Sequence, residues 1–238
     1  MRPETMIVLA GGLGTRLRSA VPDLPKVLAP VSGRPFLAWL LEALAREGVG
    51  RCVLSLGHGA EQVTDYLSGP DAEQPPGLKI EWAVEPRPLG TGGGVRFAAK
   101  SLGLSGPVLI ANGDTFFCGG VAEMVAARKS HSHEIALARV AEAARYGWVE
   151  VDPNGRVAGF SDRARSGPGW VYAGLCRLPV ETLDEPGTEA FSLERDLLSP
   201  LAADGRLYAR HLDSEFIDIG VPSDYKRFCD LAATGFAK

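Results

Sequence analysis

The sequence predicts an α/β fold built on a doubly wound, mostly parallel sheet, with a small accessory β-sheet. Three observations carry the prediction. Short, continuously apolar runs such as Met6–Ala10 and Pro107–Ala111 suit strands buried on both faces of a parallel sheet. These runs alternate with segments of helical periodicity in a βαβαβ order, which wraps helices over one sheet. Glycines cluster directly after apolar runs, at 11–14 and again at 90–94. Open α/β sheets bind ligands outside the carboxyl ends of their strands, and these are the loops freed of side chains.

Composition excludes several classes of function. A chain of 238 residues has a prior of about one to two domains and is read as one, residues 1–238. Its 25 Lys+Arg against 29 Asp+Glu give a charge of −4, with no basic run or interleaved aromatics, so no nucleic-acid partner is expected. The apolar run after Met1–Thr5 is too short for a signal-peptide core or a membrane span, which predicts a cytoplasmic protein with no membrane partner. A homo-oligomer is compatible with the sequence. Cys52, Cys118, Cys176 and Cys229 are scattered without metal-ligand spacing and read as reduced, buried thiols. His131 and His133 read as solvated loop residues.

The first strand, Met6–Ala10, runs into Leu9-Ala10-Gly11-Gly12-Leu13-Gly14-Thr15-Arg16-Leu17 and then Leu24-Pro25-Lys26. Three glycines in four positions let several N–H groups converge on an anion. Arg16 adds a planar fork and Lys26 a mobile point charge, a combination suited to a polyphosphate, so the expected ligand is a nucleoside triphosphate. Gly12–Leu17 has Leu where a dinucleotide fingerprint needs its third small residue, and no Gly-Lys-Ser/Thr is present for a P-loop. The structural alternative is a Gly-rich turn after an edge strand.

Ala10–Leu17 followed by Pro25-Lys26 resembles the signature of the sugar-1-phosphate nucleotidyltransferases. The resemblance implies a Rossmann-like fold in which Mg²⁺ assists transfer of a nucleotidyl group to a sugar 1-phosphate, with release of pyrophosphate. It implies nucleotide contacts from Leu9, Gly11, Gly12, Gly14 and Thr15, and catalytic phosphate contacts from Arg16 and Lys26.

After the loop, Pro35 suits a first helical position, Phe36, Leu37, Leu40, Leu41 and Leu44 form an apolar stripe, and Gly48 is a stop. Cys52–Leu56 reads as a strand, Glu61–Leu67 as a helix, Ser68–Gly77 as a surface loop and Lys79–Val84 as a third strand. The stretch Glu85–Gly94 opens a helix predicted over Val95–Leu102, with backbone again approaching something closely. By resemblance Glu85 and Gly90 contact the base, and Thr91 belongs to the nucleotide site. An ionised carboxylate only accepts hydrogen bonds, and guanine presents two adjacent donors where uracil and thymine present one, so Glu85 favours GTP. The alternative for Glu85 is a solvated loop charge.

Pro107–Ala111 is a fourth strand ending in Asn112-Gly113-Asp114, where an Asn-Gly pair alone would suggest a hairpin. A helical run, Val121–Lys129, follows instead. The resemblance makes Asp114 a Mg²⁺ ligand and puts Asn112 at the sugar phosphate. Glu134–Val140 is a fifth strand, and Arg145–Asp152 matches a sugar-site strand in which Gly147 lets the ring approach. Trp148 stacks on the sugar or is a core aromatic. Asp152–Gly155 turns into Arg156–Phe160 to make the accessory hairpin.

Asp162-Arg163 and Tyr172-Ala173-Gly174 depart in side-chain length from the Glu-Lys and Asn-Ala-Gly common in the family, while keeping the charges and Gly174. Asp162, Arg163 and Gly174 are the expected sugar-phosphate contacts. Ser192 is a natural N-cap for the helix that follows, without a reciprocal capping partner at Arg195, and Glu194 faces the sugar or is an exposed first-turn acid. Arg206–Leu212 is a strand, and Pro222 starts the last helix. Asp218 sits between isoleucines, where an unpaired carboxylate is costly; by resemblance it is the second Mg²⁺ ligand. Asp224 reads as a helix-start acid.

Within the family, Val21–Lys26, Pro88–Gly93, Phe191–Glu194 and Phe216–Pro222 resemble the guanylyltransferases acting on D-glycero-α-D-manno-heptose 1-phosphate. The alternatives are a uridylyl- or thymidylyltransferase acting on a hexose 1-phosphate, and, in a different class, a non-catalytic nucleotide-sugar-binding regulatory subunit.

Overall fold

A central strand, β1 (Glu4–Leu9), divides the sheet of the computed structural model, which describes residues 4–12, 14, 16–17, 21–126, 131–161 and 166–235. After a 3₁₀ turn at Lys26–Leu28 come a short ribbon, β2 (Pro30–Val31) and β3 (Arg34–Pro35), and helix α1 (Phe36–Arg46). The chain continues through β4 (Val49–Leu56), α2 (Ala60–Ser68), β5 (Lys79–Val84), α3 (Gly90–Ser101) and β6 (Pro107–Asn112). Then follow β7 (Thr115–Phe117), α4 (Val121–Ala126), β8 (Glu134–Val140), the hairpin β9 (Trp148–Val151) and β10 (Val157–Ser161), and the long β11 (Gly169–Pro179). A wide π turn (Leu193–Leu198) leads to α5 (Ser199–Ala203), β12 (Tyr208–Leu212), β13 (Phe216–Asp218) and α6 (Pro222–Ala233).

Seven strands form the main sheet in the order β12-β8-β11-β6-β1-β4-β5. Only β11 runs antiparallel to its neighbours, β6 and β8. The chain leaves β1 toward β4 and β5, then returns to place β6 on the other side of β1. That reversal opens a crevice above the carboxyl ends of β1, β4 and β6. Met6, Ile7 and Val8 are each 0% exposed, as the apolar run requires for a strand covered on both faces. Met6 and Val8 pack with Leu37, Leu40 and Leu44 of α1, whereas Ile7 packs with Val95 and Ala98 of α3 and with Leu197, Leu198 and Leu201.

One expected boundary is corrected, and the reading of Asn112-Gly113 without a hairpin holds. Helix α3 begins at Gly90 rather than Val95, because the glycines are themselves its first turns. Asn112-Gly113 does not join two paired strands: β7 pairs antiparallel with β13, which sets Asp218 opposite Thr115. Gly113 serves packing instead, donating its N–H to the Leu9 carbonyl at 2.9 Å where a side chain would collide. The helix predicted to Lys129 is seen as α4 to Ala126, and 127–129 lie outside the described residues. The accessory β9–β10 hairpin forms as expected, its turn closed by Asp152 Oδ1, which accepts from the N–H groups of Asn154 (2.8 Å) and Arg156 (2.9 Å).

Candidate active site

A cavity of about 370 Å³ occupies the crevice. Leu9, Gly11, Gly12, Glu85, Gly90 and Thr91, six of the expected nucleotide contacts, line it together with Lys26 and Asp114. Gly14 adopts φ +65° and packs against the Lys26 stem, and Thr15 lies outside the described residues. Gly12 has no atom within 4 Å of the place a Cβ would take, so its backbone is open to a ligand. Gly11 is glycine for another reason: its Cβ would lie 2.8 Å from the Gly57 nitrogen.

At Gly90, Gly92 and Gly93 the absent side chain likewise makes room for protein, although Gly90 also lines the cavity. A side chain at Gly92 would collide with the Phe191 ring, and one at Gly90 would lie 2.6 Å from the Phe191 carbonyl oxygen. That oxygen accepts from Gly92 N (3.0 Å) and Gly93 N (3.3 Å), while Phe191 N donates to Leu89 O (3.0 Å). The close approach predicted for this stretch is therefore mainly to the 189–191 segment. Gly94 differs, because its absent Cβ faces Ser55 Oγ (3.1 Å) and Glu85 Oε2 (3.3 Å).

Glu85 is held in the cavity wall. Its Oε2 accepts from Leu89 N at 3.2 Å, and its carboxylate packs against the bare backbones of Gly57 and Gly94. Burial raises its pKa above the ordinary glutamate range, opposed by the Leu89 N–H. No Lys or Arg among the described residues pairs with it, which suits it to accept from a ligand's N–H groups.

The charged centre lies at one end of this cavity. Lys26 Nζ pairs with Asp114 Oδ2 at 2.8 Å. Gly220 brings Asp218 to the same place: a Cβ there would lie 2.8 Å from Asp218 Oδ1, 3.0 Å from Lys26 Nζ and 3.1 Å from Asp114 Oδ2. Gly220 N also donates to Asp218 Oδ1 at 2.8 Å. The pKa of Asp218 is raised by burial first and by the Asp114 charge second, against the opposing pull of Gly220, Lys26 and Arg16. Two carboxylates brought to one place, beside an ammonium, are oxygen donors that fit a hard divalent cation. Among the described residues no group of three or more His, Cys, Asp or Glu is arranged to hold a metal, so phosphate oxygens and water would complete the shell.

A second cavity, of about 280 Å³, opens on the other side of this centre and shares Asn112 and Asp114 with the first. Arg16, Gly147, Gly174, Glu194 and Asp218 line it, which gathers the expected sugar contacts Asn112, Gly147, Gly174 and Glu194. Arg16 lines the second cavity, next to the charged centre. Gly174, at φ +74°, bends β11 and leaves room for the Asn112 amide. Trp148 both lines the cavity and packs on Gly169, so the two readings of this residue are not exclusive. Asp162 and Arg163 lie outside the described residues.

Ser192 caps as expected, accepting from Arg195 N at 3.2 Å. The reciprocal contact is nevertheless present, because Asp196 Oδ2 accepts from Ser192 N at 2.7 Å across the wide π turn. Asp224 lies in the first turn of α6 and pairs with Arg145 at 2.8 Å, in keeping with a helix-start acid. His133 is not simply solvated: its Nε2 lies 3.0 Å from Thr182 Oγ1. Ser55, Gly57, Gly94 and Gly220 were not predicted. A serine ending an apolar strand and a glycine two residues after a buried aspartate were the available signals.

Residues 5–227 match the sequence profile of the Nucleotidyl transferase family, and the chain belongs to that family. It is 33% identical, over 93% of its length and 95% of the relative's, to a D-glycero-α-D-manno-heptose 1-phosphate guanylyltransferase of Aneurinibacillus thermoaerophilus. The protein of the same name from Campylobacter jejuni is 34% identical over 93% of this chain and 97% of its own. In structure the chain is similar to HddC from Yersinia pseudotuberculosis, with a TM-score of 0.84 at 32% identity, covering 95% of this chain and 98% of that one. A second structure of that protein, complexed with GMP-PN, gives a TM-score of 0.82. Among the described residues no helix is long and apolar enough to cross a membrane.

Proposed function

We propose that residues 1–238 act as one nucleotidyltransferase domain that transfers the guanylyl group of GTP to D-glycero-α-D-manno-heptose 1-phosphate, giving the GDP-sugar and pyrophosphate. The observation that carries this reading is the junction of two cavities at Asn112 and Asp114, beside Lys26 and Asp218. Two phosphorylated substrates entering from opposite sides would meet at a centre of fixed charge. The names of the relatives above supply the heptose and the guanylyl group, and Glu85 in the wall of the first cavity supports guanine independently.

In the reaction, an oxygen of the sugar 1-phosphate attacks the α-phosphorus in line as the bond to the bridging β-phosphate oxygen breaks. Charge grows on the attacking and leaving groups, so cations already in place matter more than acid–base residues. Gly12 and its neighbours receive the nucleotide phosphates, Glu85, Gly90 and Thr91 the base, and Gly147, Asp162, Gly174 and Glu194 the sugar. Lys26 neutralises the reacting phosphates from the first cavity, Arg16 faces them from the second, and Arg163 is assigned to the sugar phosphate. Asp114 and Asp218 would hold Mg²⁺, which when bound supplies further neutralisation of phosphate oxygens. The compartment proposed for the reaction is the cytoplasm.

A regulatory subunit without activity predicts a damaged charged centre, whereas Lys26, Asp114 and Asp218 are all in place here. The test is pyrophosphate release with Mg²⁺, each of GTP, UTP and dTTP, and a panel of heptose and hexose 1-phosphates. Fastest release with GTP and the manno-heptose substrate is expected. Faster release with UTP or dTTP and a hexose 1-phosphate, or none with any pair, overturns the reading.

A further inference from the structure

The last residue but one of strand β4 is a serine set among apolar neighbours. Ser55 pairs in register with Leu9 of β1 and Ala83 of β5, and it follows Val53 on the face that packs with α3. Every neighbour along that face is apolar, and Ser55 is only 5% exposed. Its hydroxyl has no hydrogen-bond partner among the described residues. The oxygen is not fully enclosed: it opens on a cavity, where a ligand can supply the partner that the fold does not.

The exposure that remains is toward the first cavity, which Ser55 lines beside Glu85. The missing Cβ of Gly94 would stand 3.1 Å from Ser55 Oγ and 3.3 Å from Glu85 Oε2, so the bare glycine leaves both oxygens uncovered on one cavity wall. One is an acceptor only; the other donates as well as accepts. The guanine edge runs in the same sequence: the 2-amino group and N1–H donate, and the adjacent O6 accepts. A carboxylate satisfies the first two and leaves O6 needing a donor.

We infer that Ser55 is a specificity-determining residue, whose hydroxyl donates to the O6 carbonyl of the base while Glu85 accepts from N1–H and the 2-amino group. The inference rests on the guanylyl reading above. It assigns to one pocket a complete match to the guanine edge, donor to acceptor and acceptor to donor. Uracil also presents carbonyls, but next to a single N–H, so it leaves one Glu85 oxygen unmatched.

The experiment compares wild type and Ser55→Ala with three nucleotides. GTP and inosine triphosphate both keep O6, whereas 6-thio-GTP keeps both donors and replaces O6 by a poorly accepting sulfur. Ser55→Ala is expected to lower kcat/KM about tenfold for GTP and for inosine triphosphate, as for one lost neutral hydrogen bond, and to leave 6-thio-GTP within about twofold of wild type. An equal loss with all three nucleotides means that Ser55 only supports the strand, and no loss with any means that another group meets O6; either overturns the assignment. A wild type that uses UTP in preference to GTP overturns the guanylyl reading and the Ser55 role together, whereas a GTP-specific wild type with an unaffected Ser55→Ala removes Ser55 alone.

Discussion

The Lys26 ammonium lies 2.8 Å from the Asp114 carboxylate, although 88 positions separate them in the chain. Lys26 follows the glycine loop of β1 and Asp114 follows β6, the strand that flanks β1 on the side opposite β4. The pair therefore forms where the winding of the sheet reverses. Asp218, from β13, reaches the same point through the β7–β13 pairing.

Replacing Asp218 by Asn removes one of the two carboxylates at this point and keeps its shape. Turnover should fall by about 100-fold or more, the scale of lost electrostatic stabilisation at a reacting centre. Far-UV circular dichroism should stay unchanged. Near-normal turnover in Asp218→Asn would remove this residue from the reaction.

Gly220→Ala tests the spacing of the three charged groups without changing any of them. Gly220 does not have a positive φ, so the backbone accepts alanine, yet the new methyl would lie 2.8 Å from Asp218 Oδ1 and 3.0 Å from Lys26 Nζ. Displacement of these groups by tenths of an ångström to 1 Å should cost about 100-fold in kcat. A variant that folds and turns over like wild type would show that the centre tolerates such movement.

Glu85 has its pKa raised by burial. The folded protein then binds the proton more tightly than the unfolded chain, so this group's contribution falls as pH rises from the ordinary glutamate value through the raised one. Above that window the ionised carboxylate opposes folding. Glu85→Gln should melt at a higher temperature at pH 7, with the gain narrowing at lower pH, and should reduce the preference for GTP over UTP by about tenfold or more. In the wild type, GTP affinity should decline on acidification earlier than an ordinary glutamate would dictate. Calorimetry across pH and the two specificity constants decide both claims.

Phe191 ties the base loop to the second cavity: its backbone bonds Leu89, Gly92 and Gly93, and three residues later Glu194 lines the second cavity. The ring is 4% exposed, and Arg96 stacks over it at 5.0 Å. Phe191→Ala should cost about 3–5 kcal/mol, as for other buried phenylalanines, read from chemical denaturation. Where the variant remains folded, its KM for GTP should rise, because the first turn of α3 loses its backing. An unchanged KM with the stability lost would limit Phe191 to packing.

The alternation of apolar runs and helical stripes was enough to give the fold class, since strands covered on both faces admit little else in water. The glycine loop, Lys26, Glu85 and Asp218 stand out by their chemistry, as bare backbone, fixed charge beside it, or a carboxylate in an apolar setting, whereas Asp114 stood out only through the resemblance to the family. What the glycines approach was not legible. Gly11, Gly90, Gly92 and Gly93 make room for Gly57 and the 189–191 segment, and only packing between distant parts of the chain assigns each absent side chain to a neighbour or to a ligand.

The sequence by itself determined the strand and helix inventory and the chemical types in the site, because hydrophobic period and residue chemistry are local properties. Only the tertiary structure decided that Lys26 pairs with Asp114, that Gly220 seats Asp218 beside them, that Arg16 lines the second cavity, and that Ser55 and Glu85 share the wall of the first. Those are relations of a few ångströms between segments tens to more than a hundred residues apart, and strand order and register set them, which no local pattern encodes.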